Sequence, residues 1–236
     1  MSELFRAASV EARLVDHRWP WAEANAAAIA ANWERRLRRT PAIFNGRVFM
    51  VAGTSRAGST VRAEFFATDY ANLLGWVDAG CPDPSVANGF AMGALRTADG
   101  AFILGEMGAH TANAGRLYFP CGTPDLSDVT PDGAVDLASS LVREIEEETG
   151  IREDELAIEP GWTIVRAEGL LAFMRIARLA WPAEAARARI LAHLEADPNP
   201  ELSGIRIVRR LADLGDAPVP AVVPAFLASA FAAAQR

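Results

Sequence analysis

The chain contains no lysine: all 23 of its side-chain cations other than histidine are arginines. Any phosphate clamp must therefore be built from arginine or from backbone N–H groups, and arginine grips phosphate with two parallel hydrogen bonds. Cysteine is nearly absent too. Cys81 and Cys121 stand in unlike contexts without a Cys-x-x-Cys spacing, which speaks against a disulfide scaffold or a zinc site. The three histidines, His17, His110 and His193, are isolated and sit in no Ser/His/Asp or zinc-like spacing. No apolar run reaches the length of a membrane span, and Met1 to Arg6 lacks the apolar stretch of a secretory signal. A reducing cytoplasm is the expected compartment, with no membrane partner. Positive charge is in deficit: 23 basic against 30 acidic residues give a net charge of −7. That argues against a nucleic-acid partner, which calls for a basic excess or stripe. It suits a site that gathers divalent cations and meets an anionic substrate through them.

What is present is a core. Of 236 residues 51% are hydrophobic, enough for one large domain or one domain with a smaller companion. Residues 8–16 read as a strand, and Pro20 leads into a helix over 21–39 with Ala22, Ala26, Ile29, Trp33 and Leu37 on one face. Strands follow over 47–54 and 60–67, joined by a turn at Gly58, and 70–77 reads as helical or irregular. The Gly/Pro-punctuated stretch 78–84 marks a soft boundary, dividing the chain into a β/α extension, 1–84, and a larger domain, 85–236. In the larger part, strands over 89–96 and 101–106 flank the hairpin signal Asp99-Gly100. A short strand over 116–119 ends at Pro120, and a polar loop runs from 122 to 135. A helix over 136–149 has Asp136 as its N-cap and Gly150 as its stop. Strands over 162–166, 170–181 and 204–209 and helices over 182–196 and 223–234 complete the chain.

The chemistry concentrates on the helix ending at Gly150, in Arg143-Glu144-Ile145-Glu146-Glu147-Glu148-Thr149-Gly150-Ile151. At 3.6 residues per turn Glu144, Glu147 and Glu148 share a face, while Leu141 and Ile145 point toward a core. Three carboxylates on one face repel one another, and they sit in the helix's C-terminal half, where the macrodipole disfavours negative charge. A divalent cation relieves both penalties, and hard oxygen ligands suit Mg²⁺ or Mn²⁺. Without a cation the same cluster is a solvated acidic face.

This nine-residue string resembles, position for position, the Arg-Glu-apolar-any-Glu-Glu-any-Gly-apolar core of the box of the Nudix hydrolase superfamily. Phe119-Pro120-Cys121-Gly122 looks like the Phe-Pro-Gly-Gly lead-in to that box, with cysteine for the first glycine. The first half departs from the pattern. Val129 and Val135 stand where a glycine and a glutamate are usual, and the loop after Gly122 is about seven residues longer than the standard one. Asp132-Gly133 and Asp136 are candidates for the missing turn and capping roles.

The resemblance implies an α/β (α+β) fold, a Nudix α/β/α sandwich with a mixed sheet, preceded here by the small β/α extension. It implies Mg²⁺ (or Mn²⁺) held by Glu147 and Glu148, with Glu144 as a ligand or its support and Gly122 lending a carbonyl. Arg143 would orient a helix glutamate. A further glutamate from a later loop is expected as ligand or base; Glu201, before a predicted strand, fits that place, and Glu168 is a weaker candidate. Arg96 and Arg116 lie on strands near the box and are candidates to meet phosphate. Tyr70 and Trp76 would stack on a base or pack in the core. The implied activity is hydrolysis of a phosphoanhydride in a small-molecule nucleoside diphosphate linked to another group. The extension and the lengthened loop resemble the branch with UDP-glucose-cleaving members, so nucleoside diphosphate sugars lead. ADP-ribose, dinucleoside polyphosphates and coenzyme A stay open, as does a non-catalytic Nudix domain that binds a nucleotide metabolite and regulates a partner. A homodimer is the family's common assembly.

Overall fold

At Ala8 the chain changes sheets, and that switch sets the architecture. In the computed structural model, which describes residues 2–234, β1 (Glu3–Ala7) and β2 (Ser9–Leu14) replace the single strand expected over 8–16. The N–H of Ala8 donates to the carbonyl of Ser59, so β1 can turn to one sheet and β2 to another. The helix expected over 21–39 is likewise two: α1 (Pro20–Ala24) and α2 (Ala26–Arg39). Asn25 breaks it by donating from its side-chain amide to the Trp21 carbonyl at 2.8 Å, the local competition with the helix ladder that asparagine offers. Then come β3 (Arg47–Ala57), β4 (Thr60–Asp69) and α3 (Tyr70–Asp78), and β2, β4 and β3 form a three-stranded sheet in that order.

Adjacent residues of β4 face opposite ways, and both faces are used. Phe66 packs with Trp19, Ile29, Leu73 and Trp76 beneath the three helices, whereas Phe65 joins the core shared with the rest of the chain. The stretch 78–84 is tied down: the indole N–H groups of Trp19 and Trp76 both donate to Asp83, at 2.9 and 3.2 Å.

The larger sheet is built from β5 (Asn88–Arg96), β6 (Phe102–Met107), β7 (Leu117–Tyr118), β8 (Cys121–Gly122), β9 (Leu156–Ile158), β10 (Trp162–Ala167), β11 (Leu170–Leu179) and β12 (Leu202–Val208) together with β1. Its main order is β1-β10-β11-β5-β6-β12. β5 and β11 run parallel and the other pairs antiparallel, so the sheet is mixed. Helices α4 (Leu137–Thr149) and α5 (Ala183–Ala196) cover one face and α6 (Val222–Ala234) the other. The alternation along β5 decides which side chain goes where: Ala91 and Leu95 meet Leu141, Ile145 and Ile190, while Phe90, Met92 and Ala94 meet Val223, Phe226 and Leu227. The result is the helix–sheet–helix sandwich with a mixed sheet that the sequence leads one to expect. Among the described residues no helix is long and apolar enough to cross a membrane.

The contact that positions α4 is unusually close. A methyl group on Gly93 of β5 would lie 2.5 Å from the Ile145 Cδ1, so only glycine lets the helix lie this near the strand. Gly93→Val should lower the free energy of unfolding by about 1–3 kcal/mol through overpacking, read in urea denaturation, whereas Ser59→Ala in the exposed β3–β4 turn should change it by less than about 0.5 kcal/mol.

Candidate active site

Helix α4 is held at both ends as its sequence requires. Asp136 accepts from the N–H groups of Ala138 and Ser139, at 3.1 and 3.0 Å, and Gly150 closes the helix at φ 68°. Between these caps Leu141 and Ile145 are fully buried, and their burial turns the next face of the helix toward β8. Glu144 and Glu148, one turn apart, lie on that face. The N–H of Cys121 donates to the Glu148 carboxylate at 3.1 Å. A Cβ on Gly122 would fall 2.2 Å from Glu144 Oε1. The last residue of the lead-in must therefore be glycine for a carboxylate to lie against that strand.

Glu147 is placed differently. Its side chain is 59% exposed and turns toward Arg143, 3.2 Å away. Arg143 is a hub: it also meets Glu144 at 2.8 Å and Asp128 at 3.0 Å. Asp128 was not apparent as a site residue from the sequence. It belongs to the lengthened loop, where a short turn over 126–128 is capped by Asp125 and buries the Asp128 side chain. The Asp125-x-Ser127-Asp128 pattern is a capping signature, and it is the only signal that marked the place. The sequence also passed over His193, whose Nε2 lies 3.2 Å from the Glu147 carbonyl and whose ring packs against Gly150.

The electrostatics follow from this packing. Burial pushes the Glu144 carboxyl up to about 7; Arg143 opposes the rise, and Glu147, Glu201 and Asp128 add to it. Glu148 is pushed well above the usual carboxylate range, first by burial and then by Glu144, Glu201 and Glu147, against the Cys121 N–H that stabilises its ionised form. Burial, with Glu148, Glu144 and Glu201, raises the Cys121 thiol. Glu201 itself is exposed, in the bend before β12, where its carbonyl accepts from the N–H of Gly108 at 2.7 Å. Its charge is thus felt by Glu144, Glu148 and Cys121 alike. Glu168, the weaker candidate, is elsewhere: it sits in the β10–β11 turn at φ 51° beside Cys81.

Among the described residues no three carboxylate, imidazole or thiol groups converge as a ready-made ion cage. The donor set still suits a small hard dication, which needs only one or two carboxylates and keeps its remaining waters. Every donor is oxygen. Glu148 is nearly buried, its charged neighbours are of its own sign, and it makes no ion pair among the described residues. A carboxylate so placed is costly to ionise unless a cation joins it.

Beside Cys121 and Gly122 opens a cavity of about 450 Å³. Its walls come from both halves of the chain: Arg36, Tyr70 and Leu74 on one side, Arg116, Tyr118 and Thr123 on the other. Arg116 and Tyr70, two of the residues singled out in the sequence, thus lie at the site. Trp76 is fully buried in the core. Arg96 is a correction: it ends β5 away from Gly122, which pairs with Ala91, and it lines a separate hollow with Arg209 and Arg210. A further hollow of about 630 Å³ flanks α4 on its outer side and reaches Arg143 and Glu147 but neither Glu144 nor Glu148.

No protein-family model and no curated protein matches the chain. Solved structures do. A Nudix hydrolase from M. smegmatis, RenU, is 18% identical over 63% of this chain and 86% of its own, with a TM-score of 0.40. The MutT protein from Methanosarcina mazei Go1 is 19% identical over 64% and 96%, with a TM-score of 0.41. An Ap4A hydrolase from C. elegans is 17% identical over 63% and 98%, with a TM-score of 0.38. Likenesses this weak leave the function to be argued from the chain's own side chains.

Two measurements test the electrostatics. A folded-state pKa raised from 4.5 to about 7 means that protonated Glu144 favours the fold; that advantage is complete below pH 4.5 and lost as pH climbs through 7. In a chelating buffer the wild type should lose stability across this window. Glu144→Gln should lose less, and at pH 8 it should exceed the wild type by on the order of 1–3 kcal/mol in urea unfolding. Asp128→Ala, which removes one of three carboxylate partners from Arg143, should instead destabilise by about 1–2 kcal/mol.

Proposed function

We propose that the chain is a Nudix-type pyrophosphohydrolase that uses Mg²⁺ (or Mn²⁺) to cleave the phosphoanhydride of a nucleoside diphosphate linked to another group, with nucleoside diphosphate sugars as its substrate class. One observation carries this reading. The helix that bears the nine-residue string lays Glu144 against Gly122 and Glu148 against Cys121, the last two residues of the lead-in, and those two residues line a cavity that also has an arginine in its wall. The spacing of the string and the fit of Gly122 are independent features of the sequence, and the fold brings them together.

In this reading Glu144 and Glu148, with the carbonyl of Gly122, would hold the metal, and Glu147 would join them by leaving its ion pair with Arg143. When bound, the ion would supply Lewis-acid neutralisation of the diphosphate and would make a water easier to deprotonate. Arg143 has a positioning role: its guanidinium spans Glu144, Glu147 and the buried Asp128 and so fixes two carboxylates relative to the loop. The proton of the attacking water goes to Glu148 or Glu201 as the P–O anhydride bond breaks. Arg116, which makes no ion pair with a carboxylate among the described residues, is available to a phosphate oxygen. Residues 85–236 are the hydrolase unit, and 1–84 an extension that walls its cavity. The sugar assignment is supported by that extension and by the lengthened loop, the two features that resemble the branch with UDP-glucose-cleaving members.

Glu147→Gln and Glu148→Gln should each lower Mg²⁺-dependent release of nucleoside monophosphate from UDP-glucose by about 100-fold or more, with melting temperatures in a chelating buffer no lower than that of the parent. Unchanged turnover in both variants, or cleavage by the parent that is indifferent to chelation, would refute the assignment.

A further inference from the structure

Asn88 opens β5, and its backbone N–H is already engaged, donating to the Gly169 carbonyl at 2.9 Å. Its neighbour Gly89 faces the shared core, where a Cβ would strike Val51 at 2.3 Å. That close fit fixes the strand, and the alternation of side chains sends Asn88 and Phe90 to the other side, into the lining of the 450 Å³ cavity. There Asn88 is half-buried, its side chain makes no hydrogen bond with any described residue, and its Oδ1 lies buried without a partner, so that a small turn of the amide would present it to the cavity. Buried amides are almost always paired in native structures, so an unpaired one in a cavity wall calls for a ligand.

The chemistry of that ligand can be narrowed. A carboxamide presents one acceptor and two donors side by side. A phosphate offers acceptors only and would leave Oδ1 unpaired. A ring edge with a donor next to an acceptor satisfies both halves. Charge is handled elsewhere in the cavity. Arg36 has its fork engaged by Asp78, at 2.8 and 2.6 Å, whereas Arg116 on the Gly122 side makes no ion pair with a carboxylate among the described residues. The cavity therefore combines one cation free of a carboxylate, Arg116, with uncharged hydrogen-bonding groups, Asn88 and the Tyr70 hydroxyl, beside the apolar Leu73, Leu74 and Leu170. Its volume lies in the range of small-molecule sites.

Resting on the hydrolase reading above, we propose that Asn88, with the Tyr70 wall of the extension, is the specificity element of this site. It recognises an uncharged ring with adjacent donor and acceptor groups, a sugar or a nucleobase, on the substrate whose phosphates face Arg116. Its role is recognition, so it should act on ring affinity and leave phosphate affinity alone.

Calorimetry on the full chain with Mg²⁺, using uridine, glucose 1-phosphate and inorganic phosphate as probes, tests this. Asn88→Ala should weaken at least one ring probe by about tenfold, the loss of one or two hydrogen bonds, with inorganic phosphate unaffected. A loss confined to glucose 1-phosphate identifies the sugar, and one confined to uridine identifies the base. Asn88→Asp, which keeps the size of the side chain but only acceptors, should show the same loss and serves if the alanine variant does not fold. Equal ring affinity in parent and variants, an equal loss for inorganic phosphate, or no ring probe bound by the parent overturns the proposal. The two readings fail separately. Asn88-dependent ring binding in a parent with no hydrolytic turnover removes the hydrolase and leaves the ring site, whereas turnover with Asn88-independent binding does the reverse.

Discussion

Two carboxylates of one sign, buried a turn apart against a strand, are the constraint around which the site is arranged. Glu144 and Glu148 gain little from their own helix, because its C-terminal dipole is negative and Glu147 adds to the repulsion. They remain there because packing holds them: Leu141 and Ile145 sink into the sheet beside Gly93, and the rotation this fixes leaves the glutamates nowhere to turn but toward Cys121 and Gly122. The apolar face of the helix therefore determines where the acidic face lies. The cost of burying the charges appears as the raised carboxyl pKa of Glu144 and Glu148.

What steadies the arrangement is a relay from the N-terminal extension. Phe49 donates its N–H to the Pro124 carbonyl, Leu14 donates to Gly133, and the N–H of Val135 returns to Ala12. These bonds pin the lengthened loop after Gly122 to β2 and β3. The pinned loop holds Asp128, Asp128 holds Arg143, and Arg143 holds Glu144 and Glu147. A loop longer than the usual one would ordinarily loosen whatever it carries. Here the extension takes up the slack with backbone hydrogen bonds, so the lengthened loop and the extension work together.

The layered α/β architecture and the composition of the acidic helix were legible in the sequence because periodicity and caps are local signals. Asp136, Gly150 and the Leu141/Ile145 pair mark α4 from end to end, and Asp99-Gly100 marks a hairpin. The sheet switch at Ala8 was not legible, since a strand that divides between two sheets keeps its alternation. Nor was the break at Asn25, where one side-chain hydrogen bond outweighs an otherwise continuous helical pattern. In the site, Glu144, Glu148 and Gly122 were found by their spacing and do meet in space. Glu147 lies on the outer flank beside Arg143, a difference of 100° around the helix that sharing a face conceals. Asp128 and His193 escaped notice because their partners, Arg143 and the carbonyl of Glu147, are 15 and 46 residues away. Arg96 and Arg116 looked alike as strand arginines near the box, and only the register of β5 with β8 separates them.

The absence of lysine takes on meaning once the arginines are sorted by their partners. Most are committed: Arg36 to Asp78, Arg143 to three carboxylates, Arg189 to Glu155, Arg209 to Asp99. A guanidinium in a bidentate pair is a structural tie and has little attraction left for an incoming anion. In a chain of net charge −7 whose site is itself acidic, an anionic substrate meets repulsion from most directions. An arginine in the cavity wall without a carboxylate partner then has an orienting value beyond its single charge. On the proposed hydrolase reading, phosphates drawn to it would leave the remainder of the substrate facing other walls of the cavity, Tyr70 and Asn88 among them. On that reading the orientation of a bound substrate follows from which arginines the fold has already paired.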